Sequence, residues 1–409
     1  MNNSVAITGN SGPKVRSDCE ITLEIRQNGG ISIELISRVK TLYGKSIKSQ
    51  CLEILSFFNI KHAHLKINDS GALPFVISAR LEAAVKKLTD TTKECLPDLI
   101  PENTASTKRD RYRFSRLYLP GNAPGLMINA GLHSAEGIIL DFEDSVSSEK
   151  KDESRFLVRN ALRQINFYGA ERMVRINQGD RGLYDLDFVI PHFVNLILIP
   201  KCEDALAVRN VDQKIREIQG KFNIKNEVYL MPVIESALGI ENITEIARSS
   251  SLVVAMAIGL EDFTADLGVQ RTSEGKESFY ARSRLVIASK AAGIQPIDSV
   301  FSDFNDMDGL KQTVSASRAM GFEGMGCIHP RQISVIRHGF APDASEIGKA
   351  MDIVRAFEAA LKAGLGVVAL GSKMIDAPVV LRAQKTLELA ERLGLISCDW
   401  RDKGPEQQA

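Results

Sequence analysis

From Arg113 to about residue 340, short apolar runs recur at wide spacing, each followed by a longer stretch of mixed apolar and polar positions. The runs are SRLYLP, GIILD, RMVRIN, LILIP, EVYLMPVIE, LVVAMAIG, IDSVFSD and FEGMGCIHP. Near-continuous apolar runs predict strands buried on both faces, and the amphipathic stretches between them predict crossover helices. Eight such units in a row predict an α/β TIM (β/α)8 barrel. An open doubly wound sheet would place a Gly-rich phosphate loop after its first strand, and PGNAPG lacks that spacing.

Upstream the pattern differs. EITLEI (Glu20–Ile25) and ISIEL (Ile31–Leu35) alternate like strands, and Asn28-Gly29-Gly30 between them predicts a hairpin turn. A helix around Ile47–Phe57 follows, then HLKIND as a third strand, then SGALPFVISARLEAAV as a strand running into a helix. This reads as a small α+β domain over residues 1–88. Residues 89–112, with Pro97, Pro101 and the ENTASTKRDR run, lose helical periodicity and read as an exposed linker. The barrel occupies 113–340. A C-terminal helical extension, 341–409, carries helical stretches at Ala344–Ala363 and Val379–Leu393 on either side of GLGVVALGSKMIDAP. A barrel does not need this segment; such extensions pack on a neighbouring subunit or cover an active-site mouth.

Composition narrows the setting. Lys+Arg and Asp+Glu both number 51, so no general field attracts nucleic acid or an anionic membrane. Six Cys, none spaced as CxxC, exclude a disulfide scaffold and a thiolate zinc knuckle. The opening MNNSVAITGNSGPK has no apolar core for a signal peptide, and no run approaches the roughly 18–20 apolar residues that span a bilayer. The expected setting is a reducing cytoplasm.

The working residues of a barrel sit at the C-terminal ends of its strands. Here those ends carry Asp141, Glu143 and Asp144; Arg175 and Asn177; Lys201; Glu235; Glu261 and Asp262; and Asp303. Oxygen donors without His or Cys clusters point to a hard cation such as Mg2+. Glu235 and Asp262 end adjacent strands, so both carboxylates can reach one ion. The competing interpretation makes each acid a solvated loop charge or a helix cap. Arg175 is either a structural partner of Asp141 or Glu143, or a group that stabilises a developing oxyanion. Glu143 and Asp144 suit a supporting role, orienting metal-bound waters. His62 and His64 read as surface residues and His329 as a cap for the following helix. Gly364-Leu365-Gly366 lacks the strand–turn–helix context of a dinucleotide site, and Cys202 and Cys327 read as small buried groups.

The stretches RFSRLYLPGN, ILDFEDSV, VRIN, LIPK, VIESALGIEN, AIGLEDFTADLG, IHPRQI and GSKMIDAP together resemble the citrate lyase β subunit and its relatives, the malyl-CoA and citramalyl-CoA lyases. The resemblance implies Mg2+-dependent cleavage of a 3-hydroxyacyl thioester into an acetyl thioester and a 2-oxo acid. It implies Glu235 and Asp262 as metal ligands, with Glu235 also near the substrate. Arg175 would bind substrate and stabilise the enolate, and Asp376 of the MID tripeptide would be supplied by a neighbouring subunit to handle a proton. It therefore implies a homo-oligomer, with a citrate lyase α-type subunit as a further partner. RSDCEITLEI, TLYGKSIKSQCLEIL and INDSGALPFVISARLEAAV resemble the acyl-carrier (γ) subunit of citrate lyase. That family attaches a phosphoribosyl-dephospho-CoA group to a Ser, but here Arg16 stands in register and Ser17 is adjacent. A lyase without a loaded carrier would use a free CoA thioester. The expected activity is citryl-CoA cleavage, with (S)-citramalyl-CoA or malyl-CoA as alternative substrates. A non-catalytic assembly subunit is the reading from another class.

Overall fold

The computed structural model describes residues 5–364, 366–370 and 373–401. Leu365 of the Gly364-Leu365-Gly366 stretch, and Gly371 and Ser372 of GSKMIDAP, lie outside the described residues. Two compact units are present: Met1–Asp306 with Ala319–Ile333, and Met307–Arg318 with Ser334–Ala409.

The first unit begins with a sheet of β1 (Val5–Thr8), β2 (Cys19–Ile25), β3 (Ile31–Ser37) and β4 (Ala63–Asp69), ordered β1-β2-β4-β3. The expected hairpin between β2 and β3 does not form. β4 lies between them, antiparallel to β2 and parallel to β3. The reason is burial: Cys19, Ile21 and Leu23 of β2 and Ala63, Leu65 and Ile67 of β4 are fully covered, so these two strands take the central places and β3 is left at the edge. The Asn28-Gly29-Gly30 loop therefore spans two strand spacings of about 4.8 Å each instead of closing a tight turn. The helices Lys40–Phe57 and Pro74–Leu88 cover the sheet. The further strand expected at SGALPFV does not form, because Pro74 opens the second helix and its fixed φ suits helix initiation.

Eight parallel strands follow: β5 (Ser115–Pro120), β6 (Gly137–Asp141), β7 (Glu171–Arg175), β8 (Leu196–Ile199), β9 (Tyr229–Ile234), β10 (Ala255–Ile258), β11 (Gln295–Ile297) and β12 (Met325–Cys327). They pair in sequence, β12 returns to β5, and a parallel bridge between Asp298 and Met325 closes the ring. This is the expected barrel. Its interior is packed by Ile139, Met173, Leu198, Met231, Val233 and Ile297. One strand is shorter than its apolar run suggested: β11 stops at Ile297, and Asp303 accepts from the N–H groups of Asn305 and Asp306 in a turn. Asp303 is thus a turn former and not a strand-end group.

The small domain is clamped to the barrel. Arg80, fully buried, donates to Asp18 through Nε and Nη2 at 3.0 and 2.9 Å, to Glu153 through Nη1 at 3.2 Å, and to the carbonyl of Asn122 at 3.1 Å. Glu153 belongs to the barrel helix Lys151–Gln164 and also accepts from the Gly9 N–H at 2.9 Å. Gly9 has φ +79°, and a Cβ there would sit 1.9 Å from the Cys19 carbonyl oxygen, so only glycine fits. Further along the same helix Arg159 donates to both oxygens of Glu82. The linker is tied down as well: Pro97 accepts from Arg163 at 2.6 Å, and buried Asn103 donates to the carbonyls of Leu162 and Ile165. The expected exposed connector is partly a strap.

The second unit contains the helices Ala344–Lys362 and Ala377–Arg392 and most of Met307–Met320 and of Arg331–Phe340. An antiparallel pair, β13 (Val368–Leu370) and β14 (Lys373–Ile375), sits between the last two. Val354, Ile375, Leu387 and Trp400 form its core. Asp343 and Glu346 make a reciprocal capping box at the start of Ala344–Lys362.

Candidate functional site

The strand ends of β5, β6, β7, β9 and β10 surround a cavity of about 370 Å³ whose lining includes Tyr118, Asp141, Arg175, Glu235 and Asp262. Each group arrives at the mouth because it lies at or just beyond the C-terminal end of a buried strand. Asp141 ends β6 and Arg175 ends β7, and the two strands pair these residues directly. Asp141 accepts from Arg175 Nε and Nη2 at 2.7 and 2.8 Å and from Ser145 Oγ. Burial alone would raise the Asp141 carboxyl, but the hydrogen bonds and charge of Arg175 prevail and hold it below the usual range. The same pairing keeps the buried Arg175 guanidinium more basic than usual. Arg175 also lies over the Tyr118 ring at 5.4 Å.

Glu143 is buried next to this pair. Its Oε1 accepts from Gln178 at 2.8 Å, while Oε2 lies 2.9 Å from Arg175 Nη1 without hydrogen-bond alignment and has no donor among the described residues. Burial raises its pKa, against the pull of Arg175. Asp144, about half exposed, stands 3.7 Å from Arg175 and 3.6 Å from Lys201.

Lys201 joins the two sides of the mouth. Its backbone N–H donates to Glu235 at 3.0 Å, and its Nζ is 3.3 Å from Glu143 and 3.5 Å from Asp262. The residue has φ +44°, a conformation that costs a side-chain-bearing residue energy and concentrates at functional sites. The two acids that end adjacent strands are thus gathered around one residue. Glu235 is only 6% exposed, and burial pushes its carboxyl up to about 7. Gly259 gives that carboxylate its room, since a Cβ there would fall 2.3 Å from Glu235 Oε1. Asp262 sits in the first turn of Leu260–Asp266 with its side chain 42% exposed.

Among the described residues no three His, Cys, Asp or Glu side chains form a metal cage. The donor set fits a hard cation that keeps water and substrate oxygens in its shell: two carboxylates at the mouth, and beside them an orphaned oxygen on Glu143. Asp376 lies in the second unit, where its carboxylate caps Ala377–Arg392 by accepting from the Val379 N–H at 3.2 Å. Ser17 is half-buried, with φ +55° and its N–H on the Ser70 carbonyl. His62 accepts from the Gly30 N–H, His64 meets Ser32, and His329 accepts from the Arg331 N–H and stacks on Phe304; all are structural contacts. Cys202 and Cys327 are buried. Sequence reasoning assigned no role to Lys201 or Tyr118. The alternation of SRLYLP, which puts Tyr118 on the inner face of β5, was the available signal for the second.

Residues 115–330 match the HpcH/HpaI aldolase/citrate lyase family, more than half of the chain. The chain belongs to that family. Residues 8–88 match an acyl-carrier family described as malonate decarboxylase delta subunit, in agreement with the carrier likeness. The citrate lyase subunit beta of Leuconostoc mesenteroides subsp. cremoris is 35% identical over 293 residues, 71% of this chain and 97% of that protein. The mitochondrial citramalyl-CoA lyase of Mus musculus is 30% identical over 321 residues, 72% of this chain and 94% of that protein. A crystal structure of CitE from Mycobacterium tuberculosis in complex with magnesium, acetoacetate and coenzyme A covers 69% of this chain and all of its own, at 27% identity and TM-score 0.57. These relatives are lyases, and so is this family member. No helix among the described residues is long and apolar enough to cross a membrane.

Proposed function

We propose that this protein is a magnesium-dependent carbon–carbon lyase that cleaves a citryl-CoA-type 3-hydroxyacyl thioester into an acetyl thioester and a 2-oxo acid. The observation that carries the reading is the gathering of Glu235 and Asp262 around Lys201 beside Arg175, over a cavity large enough for a small acyl group. Glu235 and Asp262 are the proposed metal ligands. The chemistry that bound magnesium supplies is Lewis acidity toward the hydroxyl and carboxylate of the substrate.

The chain's own groups account for the remaining steps. Asp376 of a second copy takes the hydroxyl proton. The bonding pair between the hydroxyl-bearing carbon and its neighbour passes to the thioester, leaving the 2-oxo acid and an acetyl thioester enolate, and the proton returns to the enolate carbon. Asp141 fixes the Arg175 guanidinium through Nε and Nη2, and Nη1, which faces Glu143, carries N–H groups for the enolate oxygen. Glu143 and Asp144 orient water at the mouth. Because Asp376 comes from another copy, the active form is an oligomer.

We further propose that the thioester is free CoA and not a carrier-bound group. Ser17 directly precedes Asp18, which the buried Arg80 locks to the barrel, so the loop has little freedom to deliver an attached arm. The residues 1–88 then serve as a fixed module, 113–340 as the lyase domain, and 341–409 as the extension that provides Asp376. The test combines calorimetry of Mg2+ binding with cleavage assays on citryl-CoA, citramalyl-CoA and malyl-CoA. Glu235→Gln and Asp262→Asn should each weaken Mg2+ binding and cleavage together; unchanged Mg2+ affinity in both removes the metal assignment. Intact mass from the native host should be that of the bare chain, and a phosphoribosyl-dephospho-CoA increment on Ser17 would overturn the free-thioester proposal.

A further inference from the structure

One charged group of the cavity has no part in that chemistry. Arg116 stands two residues before Tyr118 on β5 and lines the cavity with it. Alternate residues of a barrel strand share the inner face, and two residues of strand advance by roughly 7 Å, so Arg116 lies deeper than Tyr118.

Arg116 is 1% exposed, and among the described residues no carboxylate pairs with it. Its Nη1 meets the thioether sulfur of Met231 at 3.0 Å, and its Nε has no hydrogen-bond partner. Of the acids around the barrel interior, Glu235 accepts from the Lys201 N–H and Glu136 from the Ser115 N–H and Oγ, and three others are held by other arginines. Glu171 is held by Arg113 through two 2.8 Å hydrogen bonds, Asp141 by Arg175, and Asp298 by Arg282. Burial lowers the Arg116 pKa to about 10, which still leaves it charged at neutral pH. A buried cation without a counter-ion is strongly unfavourable, and the apolar walls formed by Val233 and Ala257 would strengthen any ion pair made there.

We propose that Arg116 forms an anion subsite at the floor of the cavity that takes a second carboxylate of the substrate, so that the 2-oxo acid released is a dicarboxylate. This deepens the lyase reading and rests on it. A CH2–COO− arm on the reacting carbon reaches down to the guanidinium, whereas the methyl group of a citramalyl substrate or the hydrogen of a malyl substrate leaves it unmet. The apo protein carries an uncompensated charge, and the correct substrate neutralises it.

The experiment is calorimetric titration of the Mg2+-loaded full chain with malate and with lactate. These stable 2-hydroxy acids share the chelating head and differ by one carboxylate. Malate should bind at least about tenfold more tightly than lactate, as expected for a charge-assisted contact in a buried site. Arg116→Met should abolish that preference while leaving lactate affinity within about threefold, and it should melt no lower than the parent without ligand, since it removes a lone buried charge. The ratio of kcat/KM for citryl-CoA over citramalyl-CoA should fall in parallel. Arg116→Gln, which keeps a donor and drops the charge, should show the same loss and stands in if the Met variant fails to fold. A preference for malate that survives in these variants, or equal binding of both acids by the parent, overturns the subsite and leaves the lyase reading intact. Binding of neither acid to the parent overturns both.

Discussion

The seam between the small domain and the barrel and the mouth of the barrel are both built from buried ion pairs, yet they are finished differently. At the seam, Arg80, Asp18 and Glu153 have side chains 0–2% exposed, and Arg80 places hydrogen bonds on both acids and a carbonyl. At the mouth, Glu143 keeps an oxygen without a donor, Glu235 is pushed up to about 7, and Lys201 pays for its position with a strained φ. A network with every group satisfied holds a structure together; one left incomplete is held open for something else to bind. The difference separates the fixed half of the protein from the reactive half, although charged residues crowd both.

The largest effect should come from the mouth. Replacing Glu235 and Asp262 together with Ala should lower cleavage by roughly 10³-fold or more, the loss of several kcal/mol of charge stabilisation. Steady-state assays check this, and full turnover in the double variant would reduce both acids to loop charges. Asp376→Asn should cost about 10²–10⁴-fold in turnover, the range for a positioned acid–base group, with folding unchanged. Undiminished turnover would remove Asp376 from the reaction.

At the seam the loss should be stability. Arg80→Met strips the buried Asp18 of its cation, while Glu153 keeps Lys87 and Lys150, and it should cost about 3 kcal/mol in denaturant unfolding, with cleavage retained below the melting temperature. If it instead lowers turnover without lowering stability, the contrast between seam and mouth fails.

A smaller effect sharpens the same contrast. His192 is buried beside Arg163 and Arg159, and burial, reinforced by those charges, lowers its pKa to about 3. The unfolded chain takes up this proton near pH 6.5 and the folded one does not, so the stabilising effect is complete above that pH and declines as pH falls toward 3. At pH 5 the loss should be about 2 kcal/mol relative to pH 7. Unfolding of His192→Asn at the two pH values should show a flatter profile, and an equal decline in both proteins would assign the acid sensitivity to other groups.

Much of this fold was readable along the chain because barrel strands are covered on both faces, and their apolar runs appear directly in the residue order. The charged residues after those runs marked the mouth for the same reason. The small domain was harder. Its strands alternate correctly, but nothing local to Asn28-Gly29-Gly30 reveals that β4, more than thirty residues later, will separate β2 from β3. Likewise Arg80 and Glu82 read as ordinary charges on an amphipathic helix, and their burial depends on Glu153 and Arg159 of another domain.

Local order therefore settled which segments become strands and helices, and which residues end at the C-terminal side of the barrel, since side-chain periodicity and turn chemistry act over a few residues. Tertiary structure decided strand order in the small sheet, the clamping of that domain to the barrel, and the isolation of Arg116 from the carboxylates of the described residues. Those outcomes depend on which surfaces remain to be covered and which charges have already found partners, and both are set by residues far apart in the chain.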